Sequence, residues 1–475
     1  MLGQISRSSR QNLQGETWMC RSGWSFTNRG GSERLAVQSS SSTAFWASCT
    51  ACWMLLLALC SANLSDLCAA EKIPETVGSL MIIGGSERFD QREYWEEIVR
   101  LSGGPGSRIA ILPLATYDPI RKSKWVAEAI EAAGGETVTL PVAWRQMSRS
   151  PREAAADPDV LALVRESSGI YILGGSQDRI IRGLHGEDGE PLPLLGAIHD
   201  LYRRGGVVAG TSAGAAVMSK VMYRSANSVL DTLLTGVTMG RELGNGLGLL
   251  DERWFVEQHC LVRGRFARSL VAMHSEGIRY GIGVDENSAI VVRNGKDVRV
   301  LGYKGALVMD LSQATTEKAL GRFNLSNVRL TYLDRGDRFD LLTMEVTPSQ
   351  QKLDDEFLDP NSPEFRPAHR RRLFFNDILA NMAVADLMGE LIDSTQQEAI
   401  GLAFDGGRAR FEAVDGFEFR FSRDERSRGW YTEAFGGDDY TVENIRLDIQ
   451  PIRLTGPLYQ NFQQAPVTEA SFTAD

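Results

Sequence analysis

Residues 207–218 read Val-Val-Ala-Gly-Thr-Ser-Ala-Gly-Ala-Ala-Val-Met. The apolar start predicts the end of a buried strand. The small residues after Ser212 predict a closely packed helix. Between them, Gly210-Thr211-Ser212-Ala213-Gly214 fits the Gly-x-Ser-x-Gly pattern of a nucleophile elbow. Such a turn holds a serine in a strained conformation, and neighbours without bulk let the chain segments approach. The backbone N–H of Ala213 then faces the hydroxyl from a helix N-terminus, where developing negative charge is stabilised. A close-packed glycine turn without chemistry would read the same way, so the surrounding chain has to decide.

That context is a series of continuous apolar runs alternating with helical patterns. Gly78–Gly85 is a short strand ending in glycines, and Arg108–Leu114 is a second. Thr137–Val142 and Gly169–Leu173 are the third and fourth, the last running into Gly174-Gly175-Ser176-Gln177. Helical spacing recurs between them, as in Trp125, Val126, Ala129, Ile130 and Ala133. Strands apolar on both faces predict an α/β fold with a parallel sheet covered by helices on both sides. Right-handed crossovers bring the strand C-termini to one edge, where ligands bind. Gly84-Gly85, Gly174-Gly175 and the elbow converge there.

A serine nucleophile needs a base, and the base an orienting group. The chain holds five histidines. His199 reads as a helix-surface residue, His185 sits in a glycine-rich loop, and His274 suits a helix end. His369 lies beyond a proline-rich break. His259, after the strand-like Trp254–Val256, is the leading base. Asp285 and Glu286 follow Gly281-Ile-Gly-Val at a strand end and supply the candidate acid. The order serine, histidine, acid excludes the α/β-hydrolase order and with it an esterase or lipase.

These residues resemble a family of serine peptidases. Gly210–Met218, Gly174-Gly175-x-Gln177, Gln258-His259 followed by Arg263-Gly-Arg265, and Gly283–Ala289 look like cyanophycinase, a relative of dipeptidase E. The resemblance spans about residues 78–347. It implies a parallel-sheet three-layer sandwich of class I glutamine amidotransferase-like type. It also implies Ser212 as nucleophile, His259 as general base and Glu286 as the orienting acid. The N–H groups of Gly175 and Ala213 would bind the oxyanion. Gln177, Gln258, Arg263, Arg265 and Arg268 would hold the substrate. The implied reaction hydrolyses cyanophycin, a poly-aspartate carrying arginine on each side-chain carboxyl, to β-Asp-Arg, without metal or cofactor. Members of the family form dimers, so a homodimer is implied. Ser176 departs from the family, standing where Asn or Asp is expected. Two other readings stay open: a peptidase for other Asp-containing peptides, and a cell-surface binding protein without catalysis.

The rest of the chain sets the domain plan. Residues 1–43 are rich in Ser, Gly and Arg, and Thr43–Ser65 carries no charge. A positive segment, an apolar centre and small residues at Cys68-Ala69-Ala70 make 1–70 an n-region with a secretory signal, or an uncleaved anchor, the one case in which a membrane is a partner. Either places the globular part outside the cytoplasm; a start assigned too far upstream, the third reading, would leave it inside. Five of six cysteines lie before residue 70, so only Cys260 remains beyond. Cys49-x-x-Cys52 sits in an apolar run with no second pair and reads as incidental. A net charge of −10 offers no basic field, so nucleic acid is excluded as a partner. A peptidase domain is expected over 71–347 and a linker over 348–370, where Pro348, Pro360, Pro363 and Pro367 interrupt acidic residues. A smaller C-terminal α+β accessory region is expected over 371–475.

Overall fold

The computed structural model describes residues 78–459, which belong to one compact unit. The expected n-region and signal or anchor, 1–70, lie outside the described residues.

Five parallel strands form one side of a nine-stranded sheet, out to its edge: β1 (Ser79–Ile83), β2 (Arg108–Leu112), β3 (Glu136–Thr139), β4 (Gly169–Ile172) and β5 (Val207–Thr211). They stand in the order β1-β5-β4-β2-β3. Successive side chains on a strand point to opposite faces, so each apolar run feeds two cores. Leu80, Ile82, Ala110, Leu112, Ile170, Ile172 and Val208 pack on one face against helices Pro158–Arg165, Gln177–Leu184 and Pro193–Arg203. Met81, Ile83, Ile109, Ile111, Tyr171 and Ala209 pack on the other against helices Arg92–Leu101 and Pro119–Ala132. These are the three layers that the strand pattern predicts. Each fully buried Leu or Ile contributes about 1.5–3 kcal/mol. Helix starts follow the local sequence. Asp118 accepts from the Arg121 N–H, with Pro119 as the first helical residue.

The sheet is not wholly parallel. Ser288–Arg293 pairs antiparallel with β1 and carries Asp297–Gly302 beyond it. A second, ten-stranded sheet begins with the parallel pair Trp254–Gln258 and Tyr280–Val284. The chain crosses from this sheet to the first through residues 285–287. The site residues therefore collect where the two sheets adjoin.

The C-terminal residues do not form a separate accessory region. Strand Leu325–Leu333 pairs with the long strand Asp439–Leu454, which pairs in turn with Val414–Ser422. Phe417, Phe419, Phe421, Leu447 and Ile449 share one core with Phe266, Leu270 and Met273 of helix Phe266–Glu276. The expected linker 348–370 is also more ordered than its prolines imply. It holds helix Gln350–Leu353 and strand Glu356–Leu358. Lys352 is fully buried and pairs with Asp334 at 3.2 Å and Asp337 at 3.3 Å. A buried ammonium needs carboxylates around it, and the chain provides them from the Asp334–Asp337 turn. Among the described residues, no helix is long and apolar enough to cross a membrane.

Lys352→Ala removes the cation and leaves Asp334 and Asp337 buried without it. The expected cost is about 3–5 kcal/mol, read as a lower urea midpoint at neutral pH.

Candidate active site

The end of β1 and the two glycines after it organise the site. The Ile83 carbonyl accepts the Ser212 N–H at 2.9 Å, the Gly84 carbonyl the His259 N–H at 2.9 Å, and the Gly85 carbonyl the Asn287 N–H at 3.0 Å. Three distant segments are thus tied to three consecutive carbonyls. Ser86, Ser212, His259 and Asn287 all adopt positive φ, between +49° and +54°. Such strain in non-glycine residues persists only where surrounding contacts fix it, and it clusters at functional sites.

The elbow packs as its sequence predicts. A Cβ on Gly210 would lie 2.4 Å from the Gly214 carbonyl oxygen, and one on Gly214 2.2 Å from the Ile172 oxygen. No larger residue fits either position. On the other side of Ser212, a Cβ on Gly174 would come within 3.1 Å of the Ser212 Cβ. That places the Gly174-Gly175 turn beside Ser212. Ser176 accepts from the Arg179 N–H and caps helix Gln177–Leu184. Asn and Asp cap helices equally well, so the departure from the family conserves this local role.

Ser212 Oγ lies 2.9 Å from His259 Nε2, and His259 Nδ1 lies 2.6 Å from Glu286 Oε1. A carboxylate only accepts, so the proton sits on Nδ1, and Nε2 is left to accept from the serine hydroxyl. Burial, with Arg263 and Arg265 nearby, pushes the His259 pKa down to about 4, against the opposing pull of Glu286. The imidazole is therefore neutral at pH 7. Burial alone would raise the Glu286 pKa, but hydrogen bonds from His259, Arg263 and Ser86 hold it below the ordinary range. Asp285, the other candidate acid, is fully buried and does not reach the ring. Its Oδ1 accepts from the Leu261 and Val262 N–H groups at 3.1 and 3.0 Å and shapes the loop after His259.

The substrate-binding set expected from the sequence divides. Arg263 is half-exposed and lies 3.2 Å from Glu286 Oε1, at the rim of the site. Gln177 is half-buried at the start of its helix. Arg268 is corrected: it is buried, and Nε and Nη2 bind Glu257 at 2.7 and 2.9 Å, so it is not free for substrate. Arg265 is half-buried beside it. It donates to the Gln258 carbonyl at 3.1 Å and lies 3.9 Å from Glu257. The Gln258 side chain is buried beneath the loop. The physical reason is Glu257. Burial disfavours its charge, but Arg268 and Arg265 outweigh that and keep it ionised. A buried carboxylate requires such cations. The signal was present in the sequence as one carboxylate in an apolar strand with arginines just downstream.

The family follows from comparison. A cyanophycinase of Trichormus variabilis is 30% identical over 288 residues, which is 58% of this chain and 90% of that protein. One of Geminocystis herdmanii is 30% identical over 277 residues, 56% of this chain and 94% of that protein. Residues 80–300 match the model of peptidase family S51. The chain belongs to peptidase family S51. It is thus a peptidase of serine type. A solved peptidase from an acI-B1 actinobacterium aligns over 56% of this chain and 98% of its own, at 21% identity and a TM-score of 0.41.

Gly85 tests the geometry directly. It has φ +109°, and a Cβ there would lie 2.4 Å from His259 Cε1. Gly85→Ala is expected to displace the imidazole and lower kcat by about a hundredfold with the far-ultraviolet circular dichroism unchanged.

Proposed function

We propose that this S51 peptidase hydrolyses cyanophycin to β-Asp-Arg dipeptides through an acyl-enzyme on Ser212. The observation that carries the reading is the unbroken contact chain Ser212–His259–Glu286 at 2.9 and 2.6 Å in a chain of this family. In this reading His259 Nε2 takes the Ser212 proton as Oγ attacks the amide carbonyl. The N–H groups of Ala213 and Gly175 stabilise the oxyanion. His259 then returns the proton to the leaving nitrogen, and water, activated by the same base, releases the acyl group. Glu286 holds the Nδ1–H tautomer throughout. Arg263, the exposed guanidinium at the site, can take a substrate carboxylate in two parallel hydrogen bonds. Export through residues 1–70 belongs to the same proposal.

A second reading has a specific support. Arg265 and Arg268 are engaged by Glu257, so fewer groups remain to select the polymer, which favours other Asp-containing peptides. Turnover of insoluble cyanophycin against α-Asp dipeptides separates the two. Preference for the dipeptides would overturn the cyanophycin reading. Ser212→Ala is expected to abolish release of β-Asp-Arg, and retained turnover would remove the assignment of the nucleophile.

The His259 pKa fixes the sign of the pH dependence. With the free enzyme's base at about 4, kcat/KM should hold level from neutral pH to roughly pH 5 and fall below it. Stability follows linkage. Between the ordinary 6.5 and about 4, the unfolded chain binds a proton that the native imidazole does not. This residue therefore lowers stability as pH falls through that window. An acid limb near 6.5 would show that burial does not shift the base.

A further inference from the structure

A carboxylate with no cation bonded to it lies beneath the elbow. Glu87 follows the Gly84-Gly85-Ser86 turn. Its Oε1 accepts from the Tyr171 hydroxyl at 3.2 Å, and its Oε2 accepts from the Thr211 hydroxyl. Tyr171 is fully buried in β4, and Thr211 is buried as the last residue of β5, immediately before Ser212. Among the described residues Glu87 makes no salt bridge, and Lys122 acts on it only as a nearby charge. Burial pushes its pKa up. A carboxyl group in this place works against stability, because an apolar side chain of the same size would not need hydroxyl partners.

We infer that Glu87 is a positioning residue for the nucleophile: it binds the 84–87 turn to Thr211 and so fixes the strained backbone of Ser212. The deduction rests on Ser212 being the nucleophile. Ser212 has φ +53° and ψ −113°, which a serine does not hold unaided. Its own N–H is bound to Ile83, at the start of the turn, and the hydroxyl of the preceding residue is bound to Glu87, at its end. The same turn supplies the Gly84 and Gly85 carbonyls to His259 and Asn287. One short segment therefore grips the elbow from two sides while setting the base. Without the Glu87 contact, Thr211 is released and the Oγ drifts from Nε2.

The test is the rate at which a fluorophosphonate probe labels Ser212 in the full chain, measured with kcat and KM on the peptide substrate. Glu87→Ala is expected to slow labelling and lower kcat together by about a hundredfold, with KM changed little. Glu87→Gln, which can accept from one hydroxyl and donate to the other, is expected to restore most of the rate. Thr211→Val should reproduce the Glu87→Ala defect, and the double variant should be no slower than either single one. Wild-type labelling in Glu87→Ala, failure of Glu87→Gln to rescue, or additive defects in the double variant would each overturn the inference. The probe reads the serine whatever the substrate. Normal labelling with no cyanophycin turnover in the unaltered protein would count against the substrate reading alone, and absence of labelling against the nucleophile itself.

Discussion

The Ile83, Gly84 and Gly85 carbonyls at the end of β1 carry the constraint on which the site depends. Each accepts one N–H from a different segment, so Ser212, His259 and the loop of Glu286 share one rigid reference. Glycine is required at the last two for space. A Cβ on Gly84 would lie 2.0 Å from the Asp285 carbonyl oxygen, and one on Gly85 would enter the His259 ring. Asn287 is held a second time, its carbonyl accepting from the Tyr94 hydroxyl and from the Tyr303 N–H. Positive φ at Ser212, His259 and Asn287 is affordable because these contacts fix the backbone in each case.

Electrostatics separates the charged residues that face the site from those held beneath it. Glu257 and Arg268 form a buried pair beneath the His259 loop, with the Arg268 guanidinium 4.5 Å above the Tyr223 ring. The pair consumes charges that proximity to the histidine would otherwise offer to a substrate. What remains at the surface is Arg263, touching the same oxygen of Glu286 that receives the His259 proton donor. A neutral, buried imidazole between a serine and an ionised carboxylate is the state from which proton abstraction starts.

The C-terminal residues support this centre. The Met382 N–H donates to the Leu261 carbonyl at 3.3 Å, and a Cβ on Gly264 would meet the Leu379 carbonyl oxygen at 2.5 Å. The loop that carries His259 and Arg263 is thus closed from outside by residues that follow the proline-rich segment. Lys352, inside the cluster with Asp334 and Asp337, anchors that segment to the body of the protein.

The sequence by itself determined the local features. Apolar runs of strand length, alternating with helical spacing, fix the three-layer core, because burial on both faces leaves a strand no other place. Small residues around Ser212 fix the elbow, and chain order excludes the hydrolase alternative. Tertiary structure decided what depends on long-range contact. Asp285 and Glu286 are adjacent in sequence, yet one faces the interior and the other the imidazole, since consecutive side chains diverge where the chain passes from one sheet to the next. Arg263, Arg265 and Arg268 look alike in the sequence, but a single buried carboxylate at Glu257 takes Arg268 into the interior and holds Arg265 half-buried beside it. Residues 348–370 read as a linker, because a buried lysine cannot be told from a solvated one until its partners are in place. Glu87 gave no periodic signal at all: its meaning lies in hydroxyls 84 and 124 residues away, which only the packing of β4 and β5 against the turn brings together.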